Sequence, residues 1–288
     1  CIRDSFIQDI IWNKRVSPAR DAKFFSTDHE YILVYSKNKE SLTTHFLPRT
    51  EKNNSYYKNP DNDPRGPWNS AAYTCNKSRD ERPNLYYPIT NPYTGEKIFP
   101  KESAVWAYSE ETYQQHVRDN LLYWGVNGEA KQPRKKAFLS EVGDVVPRSV
   151  WSHSDVGSTQ KATMENNTIF NMRAFSYPKV STLVERIIQI ASDKDSIVLD
   201  SFAGSGTTAH AVLNMNKSDG GNRKFILVEM GDYADTITAE RVKRVINGYG
   251  EGKNAVEGTG GNFSYYELGN PLSVSYTHLR AHETDQYL

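Results

Sequence analysis

Residues 196–210, SIVLDSFAGSGTTAH, constrain this chain more than any other stretch. Ile197, Val198 and Leu199 form a short apolar run that ends in Asp200. A turn carrying Gly204 and Gly206 follows, and then a stretch that can open a helix. The run reads as a strand buried on both faces, as in a parallel sheet. The two glycines let the backbone approach a ligand where a Cβ would clash. Thr207 and Thr208 stand at the start of the next helix, beside its unpaired amides. Such a strand–loop–helix unit suits a small cofactor held at a helix N-terminus. A second apolar run, Phe225 to Val228, ends in Glu229. It lies roughly 20 residues beyond the turn, where a strand-end carboxylate can take both hydroxyls of a nucleoside ribose. Loop and acid together are far more specific than the glycines alone.

Gly204 to Ala209 also fits the looser dinucleotide pattern G-x-G-x-x-G/A, so a nicotinamide or flavin cofactor competes. Asp200 discriminates. A carboxylate just ahead of the turn would repel a pyrophosphate, whereas it suits a ligand with a cationic amino group, such as S-adenosylmethionine. A plain tight turn in an α/β sheet would leave Asp200 and Glu229 without a shared purpose. No Gly-Lys-Ser/Thr follows the turn, which excludes a Walker-type phosphate loop.

The formal net charge of the 288 residues is +0, so any nucleic-acid contact must come from local patches. The two cysteines, Cys1 and Cys75, are too few for a disulfide framework, which fits a reducing cytoplasm. His278 and His282 are four apart, but no glutamate follows His278, and no metal site is expected. No apolar stretch is long enough to span a membrane. The chain opens at Cys1 in mid-pattern, without Met. The stretch 275–288, SYTHLRAHETDQYL, fits nothing before it and reads as a non-native tail.

The organisation reads as a strand pair in 1–38, an irregular insert in 39–170 and an α/β half in 171–270. The pair comprises strands at 6–12 and 30–35. The insert is dense in Pro, Asn, Gly, Tyr and Trp. Its clearest helix is 109–125, capped by Ser109, ended by Gly125 and buried along Tyr113, Val117 and Leu121. NPYTGEK (91–97) reads as a hairpin-like turn. In the α/β half, 181–192 is an amphipathic helix with Leu183, Val184, Ile187 and Ile188 inward. A helix near 233–247 and a last strand at 262–268 follow.

IIWNK (10–14), HEYILVYSKN (29–38), YKNPDNDPRGPW (57–68), FLSEV (138–142), FSYPKVSTLVERII (175–188) and the D-x-F-A-G-x-G-T-T string at 200–208 carry a resemblance. Over about residues 5–270 the chain resembles the modification subunit of type III restriction–modification systems, a permuted, beta-class, adenine-specific DNA methyltransferase. The resemblance implies a Rossmann-like α/β fold dependent on S-adenosylmethionine. It implies a larger, mostly parallel sheet whose central strands this chain lacks, and an inserted α+β target-recognition domain. It assigns Gly204, Ser205 and Gly206 to the methionine part of the cofactor, with Ala203, Thr207 and Thr208 beside them. Asp200 would face the amino group, Phe202 would pack near the catalytic pocket, and Glu229 would take the ribose hydroxyls. Pro178-Lys179 would close over the cofactor.

Double-stranded DNA, a restriction subunit with nuclease and helicase parts, and a second copy of the intact protein are the implied partners. In the insert, Arg65, Trp68, Arg79, Arg82, Lys131, Arg134, Lys135 and Lys136 are candidate DNA contacts. KQPRKK (131–136) is the basic cluster among them, a solvated loop being the plainer reading. Trp68, Trp106, Trp124 and Trp151 read as core. The family's Asp-Pro-Pro-Tyr tetrapeptide is absent. Asn91-Pro92-Tyr93 lacks the second proline, so no catalytic residue is assigned. The tetrapeptide is expected ahead of Cys1, which makes this chain a fragment, inactive by itself. A cytosine N4 methyltransferase, a nicotinamide-dependent oxidoreductase and a non-catalytic DNA-binding remnant are the competing readings.

Overall fold

Strands β1 (Phe6–Asn13) and β2 (His29–Tyr35) pair antiparallel, as the two apolar runs predict. The computed structural model describes residues 5–269; Cys1, the His278/His282 pair and the 275–288 stretch lie outside them. The chain forms two compact units, one from residues up to His45 with those from Arg148 onward, the other Phe46–Pro147. It is a mixed α/β protein with small sheets.

The second unit holds a three-stranded antiparallel sheet of β3 (Trp68–Ala72), β4 (Leu122–Tyr123) and β5 (Arg134–Phe138), with β5 central. Its aromatic core gathers Tyr73, Tyr87, Ile89, Trp106, Tyr113 and Trp124. The 91–97 turn joins a short antiparallel pair, Ile89–Thr90 with Lys97–Ile98. Helix α1 (Glu110–Arg118) is capped by Ser109, whose Oγ accepts from the Thr112 N–H. It stops well short of Gly125. Asn120 adopts a left-handed φ of 49°, and Leu122 and Tyr123 are drawn into pairing with β5. Its inward face is also different from the one expected. His116 is buried and bonds the Tyr73 hydroxyl at 2.9 Å, while Val117 is 47% exposed. A polar partner inside the unit outcompetes the apolar stripe.

Lys136 lies in the same unit, with only 2% of its surface exposed. Its ammonium meets Asp61 at 2.5 Å and Asp63 at 2.8 Å. Arg65 pairs with Asp63 at 2.7 Å and lies over the Phe138 ring, 4.3 Å from its centroid. The Arg65 bond holds the Asp63 carboxyl well below the usual carboxylate range despite burial, and Lys136 adds to that.

In the first unit, β6 (Val150–Trp151) adds to β1 in parallel. Helices α2 (Thr159–Phe170) and α3 (Ser181–Ala191) follow. Trp12, Trp151, Val156, Ala162, Val180 and Leu183 form one core. Trp12 donates its indole N–H to the Gly157 carbonyl at 2.9 Å, satisfying a polar atom that burial would otherwise strand. β7 (Ile197–Asp200), α4 (Thr207–Asp219) and β8 (Lys224–Leu227) form a strand–helix–strand unit, with β7 and β8 parallel and in register from Ile197/Lys224 to Asp200/Leu227. Ile188 of α3 packs with Ala211 and Val212 of α4, and Val184, Val198 and Phe225 join them.

Burial of β7 on both faces does not hold among the described residues. Val198 faces the helices, while Ile197 and Leu199 are 65% and 62% exposed. The period-2 alternation of side chains puts them on the face that α3 and α4 do not cover. The 262–268 strand is also absent. Thr259 and Gly260 donate their N–H groups to the carbonyls of Val245 and Ile246, and beyond them Phe263 packs on a core with Leu213 and Val242, without a strand ladder. The helix near 233–247 begins as a π-helical turn (Ala234–Ala239) and continues as α5 (Glu240–Asn247). No helix among the described residues is long and apolar enough to cross a membrane.

Removing a negative partner from a buried cation is among the costlier single changes. Asp63→Asn is expected to destabilise the 46–147 unit by about 3–5 kcal/mol. Lys136→Met, which removes the buried charge itself, costs less. Urea unfolding followed by tryptophan fluorescence measures both; equal losses would place the cost in side-chain packing and not in the charge.

Candidate functional site

The backbone of the glycine turn requires its glycines. Gly204 and Gly206 sit at φ +53° and +78°, in the left-handed region that side chains disfavour. A Cβ on Gly206 would stand 2.9 Å from the Thr238 carbonyl oxygen. Gly206 also N-caps α4 without any side-chain cap, so the helix opens with amides that no capping side chain satisfies.

Two strand-end carboxylates hold this turn. Asp200, ending β7, accepts from the Phe202 N–H at 3.1 Å and from the Thr208 hydroxyl at 2.5 Å. Glu229, just past β8, accepts from the Gly204 N–H at 2.7 Å and the Gly231 N–H at 2.9 Å. Burial works against the Glu229 anion, but the Gly231 and Gly204 amides outweigh it and hold its carboxyl below the usual range. It is therefore a charged acceptor at neutral pH. Thr238 closes the turn from the π-helical side, donating its hydroxyl to the Gly204 carbonyl at 2.6 Å. A cavity of about 790 Å³ is lined by Leu227, Glu229, Ala234, Thr238 and Phe263.

The structure brings most of the sequence-predicted cofactor residues together but divides them into two layers. Phe202 is 87% exposed, and Asp200, Gly204, Thr208 and Glu229 are partly exposed. Ala203, Ser205 and Thr207 are buried. Lys179 touches the turn through its backbone, its carbonyl accepting from the Thr207 hydroxyl at 3.2 Å. Its ammonium instead meets Glu30 at 2.5 Å and lies over the Trp12 ring.

Sequence reasoning missed the residues beneath the turn: Glu165 on α2, Ser181 on α3, His210 on α4 and Arg241 on α5. Glu165 accepts from the Ser181 hydroxyl at 2.7 Å and from Arg241. The Arg241 guanidinium also donates to His210 Nδ1 at 3.0 Å. That bond makes Nδ1 an acceptor, so the 3.5 Å approach of Glu165 to the same nitrogen is no hydrogen bond. The one available signal was a charged residue on the apolar face of the 233–247 helix.

Of the candidate DNA contacts, Arg65 and Lys136 are committed to Asp61 and Asp63, inside the unit. Lys135 is partly buried, with its ammonium over the Tyr108 ring. Arg134 is exposed but donates to the Ser70 carbonyl at 2.8 Å, and Arg79 lies over Tyr86. Lys131 and Arg82 are exposed. Trp68, Trp106, Trp124 and Trp151 are buried, as expected of core residues. Asn91 is a buried turn-builder: its Oδ1 accepts from the Tyr93 N–H and its amide donates to the Gly128 carbonyl.

Residues 3–240 match a family of DNA methylases, and the chain belongs to that family. It is 31% identical over 255 residues to the type III restriction–modification enzyme StyLTI Mod subunit of Salmonella typhimurium, covering 83% of this chain and 38% of that protein. It is 31% identical over 245 residues to the type II methyltransferase M.KpnI of Klebsiella pneumoniae, covering 78% and 56%. It is 28% identical over 230 residues to the type III restriction–modification enzyme EcoPI Mod subunit of Escherichia phage P1, covering 71% and 35%. The matches therefore span only about a third to somewhat over half of these relatives' length.

The buried network sets an acid dependence. Burial lowers the pKa of His210, and the Arg241 charge pushes the same way. Burial would raise Glu165, but the charge of Arg241 and the Ser181 hydroxyl bond hold it below the usual carboxylate range. Both pKa values lie below their unfolded counterparts, so acid favours the unfolded chain. Stability is expected to be full above about pH 7, to fall through the histidine range, and to fall again below about pH 5. Urea midpoints across pH measure this, with Glu165→Gln flattening the lower step. In the turn, Gly206→Ala is expected to cost about 1–3 kcal/mol from its left-handed φ and the Thr238 contact, read by thermal unfolding.

Proposed function

We propose that this member of the DNA methylase family binds S-adenosylmethionine at the glycine turn and serves in methyl transfer to the 6-amino group of adenine in duplex DNA. The observation that carries the reading is the pair of strand-end carboxylates, Asp200 and Glu229, bracketing a left-handed glycine turn at the mouth of a 13-residue helix. Two anions there disfavour the pyrophosphate of a dinucleotide. They suit a ligand with an ammonium group at one end and ribose hydroxyls at the other. A carboxylate has about four lone-pair sites. Glu229 accepts from the Gly204 and Gly231 amides and has the Tyr233 hydroxyl as a further donor, whose place a ribose hydroxyl would take. Asp200 would take the amino group, with Phe202 exposed beside it.

The sulfonium of the bound cofactor supplies the methyl group. The residues of this chain bind and orient it; positioning of that kind supplies much of a transfer rate. The target amine is hidden in the duplex, so its base must be turned out of the stack. The sequence contains no Asp-Pro-Pro-Tyr-type tetrapeptide, so the groups that hold the amine are not assigned to this chain. On this reading the parallel pair with α3 and α4 is the cofactor part of a Rossmann-like sheet, and the 46–147 unit serves target recognition. Lys131 and Arg134, with Lys135, are its candidate DNA contacts. Relatives named as type III restriction–modification Mod subunits support a restriction–modification setting; adenine over cytosine, a restriction subunit as partner, a second copy and a cytoplasmic setting are our inference from the family resemblance.

Titration calorimetry of the chain with S-adenosylmethionine and, separately, with reduced nicotinamide dinucleotide tests the reading. Binding of the first alone is expected; binding of the second alone would overturn it. Glu229→Ala is expected to weaken S-adenosylmethionine binding by about 1.5–3 kcal/mol, the scale of hydrogen bonds to a charged group. Unchanged affinity would remove Glu229 from the site.

A further inference from the structure

Arg241 is fully buried, at 0% exposure, and stands directly behind the glycine turn. Its Nη1 donates to Ser205 Oγ at 3.0 Å and to Thr207 Oγ1 at 2.9 Å, the two hydroxyls that flank Gly206. Its Nη2 donates to Glu165 and to His210 Nδ1. Its Nε has no hydrogen-bond partner among the described residues. Glu165 in turn holds the Ser181 hydroxyl at the start of α3, and Thr207 holds the Lys179 carbonyl. One guanidinium thus ties together α2, α3, α4 and α5 through the turn.

Stability alone is a poor account of this arrangement. A buried ion pair is often matched or bettered by apolar residues of the same volume, and here one guanidinium nitrogen goes unsatisfied as well. Geometry offers a better account. Both hydroxyls point inward to Arg241, so the backbone between them is fixed from behind. Gly206 provides no side-chain cap, so no capping side chain covers the first amides of α4.

We propose that Arg241 is a positioning residue for the methyl-donor site: it sets the conformation of Ser205-Gly206-Thr207 without touching the cofactor. The inference rests on the cofactor reading above. The planar fork is what the role needs. An ammonium is a compact point charge and cannot reach Glu165 and both hydroxyls in that fixed geometry.

The test compares Arg241→Lys, Ser205→Ala and the double variant by calorimetry with S-adenosylmethionine, alongside amide hydrogen exchange without cofactor. Arg241→Lys is expected to raise the Kd at least tenfold and to speed exchange at residues 204–208 at least tenfold, with exchange in the body of α3 unchanged. Adding Ser205→Ala to Arg241→Lys is expected to change the Kd by less than twofold, because the bond is already lost. Uniformly faster exchange throughout the unit, with an unchanged Kd, would mark Arg241 as a packing residue and overturn the proposal. If Arg241→Lys fails to fold, Ser205→Ala alone carries the test, with the same local signature expected and its absence counting against. If the unaltered chain does not bind S-adenosylmethionine, the cofactor reading fails and this proposal falls as a statement about a methyl donor; the exchange data then separately tell whether Arg241 sets the turn.

Discussion

The left-handed turn at Gly204 and Gly206 is the constraint on which the first unit depends. It can exist only because neither position carries a Cβ and because it is bonded on several sides. Asp200 holds it from the end of β7, Glu229 from beyond β8, Thr238 from the π-helical turn and Arg241 from behind. Each of these groups belongs to a different element. The turn is therefore where the register of β7 with β8, the entry of α4 and the docking of α5 are reconciled. The π-helical stretch fits this view: it places the Thr238 carbonyl against Gly206, where an extra side-chain atom has no room.

Charge is used differently in the two units. In the 46–147 unit, Lys136 and Arg65 are drawn inward by Asp61 and Asp63, so much of the apparent basic character of the sequence is neutralised inside. Lys131, Arg134 and Arg82, among the other candidates, stay exposed. In the other unit the buried cation is Arg241, and its counter-charge Glu165 comes from a helix more than seventy positions earlier in the chain. Both arrangements hide full charges, yet the first joins a loop to a sheet strand and the second fixes a glycine turn.

The sequence was legible wherever one local pattern decided the outcome. The β1 and β2 runs, the 181–192 helix with Leu183 and Ile188 inward, the Ser109 cap and the 91–97 turn all follow from neighbouring residues. It misled where tertiary partners competed with periodicity. Tyr73 took His116 inward in place of Val117, and strand pairing took Leu122 and Tyr123 out of the expected helix. The basic run 131–136 looked uniform as a string, but Lys136 is drawn inside by Asp61 and Asp63, while Arg134, on the same face of β5 two residues earlier, stands exposed at the strand's start. The front of the candidate site could be read from spacing. Its back could not, because Glu165, His210 and Arg241 come from three helices and share no motif.

Glu229 joins these points. In the sequence it is a strand-end acid at the distance that a nucleoside ligand requires. In the structure the same carboxylate already accepts from Gly204, so one group both shapes the turn and faces the space beside it. A ligand that bonds Glu229 then strengthens an anion whose other lone pairs hold the turn, and binding and turn geometry are coupled through a single side chain. Asp200 repeats the design, with the Phe202 amide and the Thr208 hydroxyl as its internal partners. On the proposed reading, a donor arriving at Glu229 would replace the Tyr233 hydroxyl, while the Gly204 and Gly231 bonds keep the carboxylate oriented, and that preorientation would lower the ordering cost of binding.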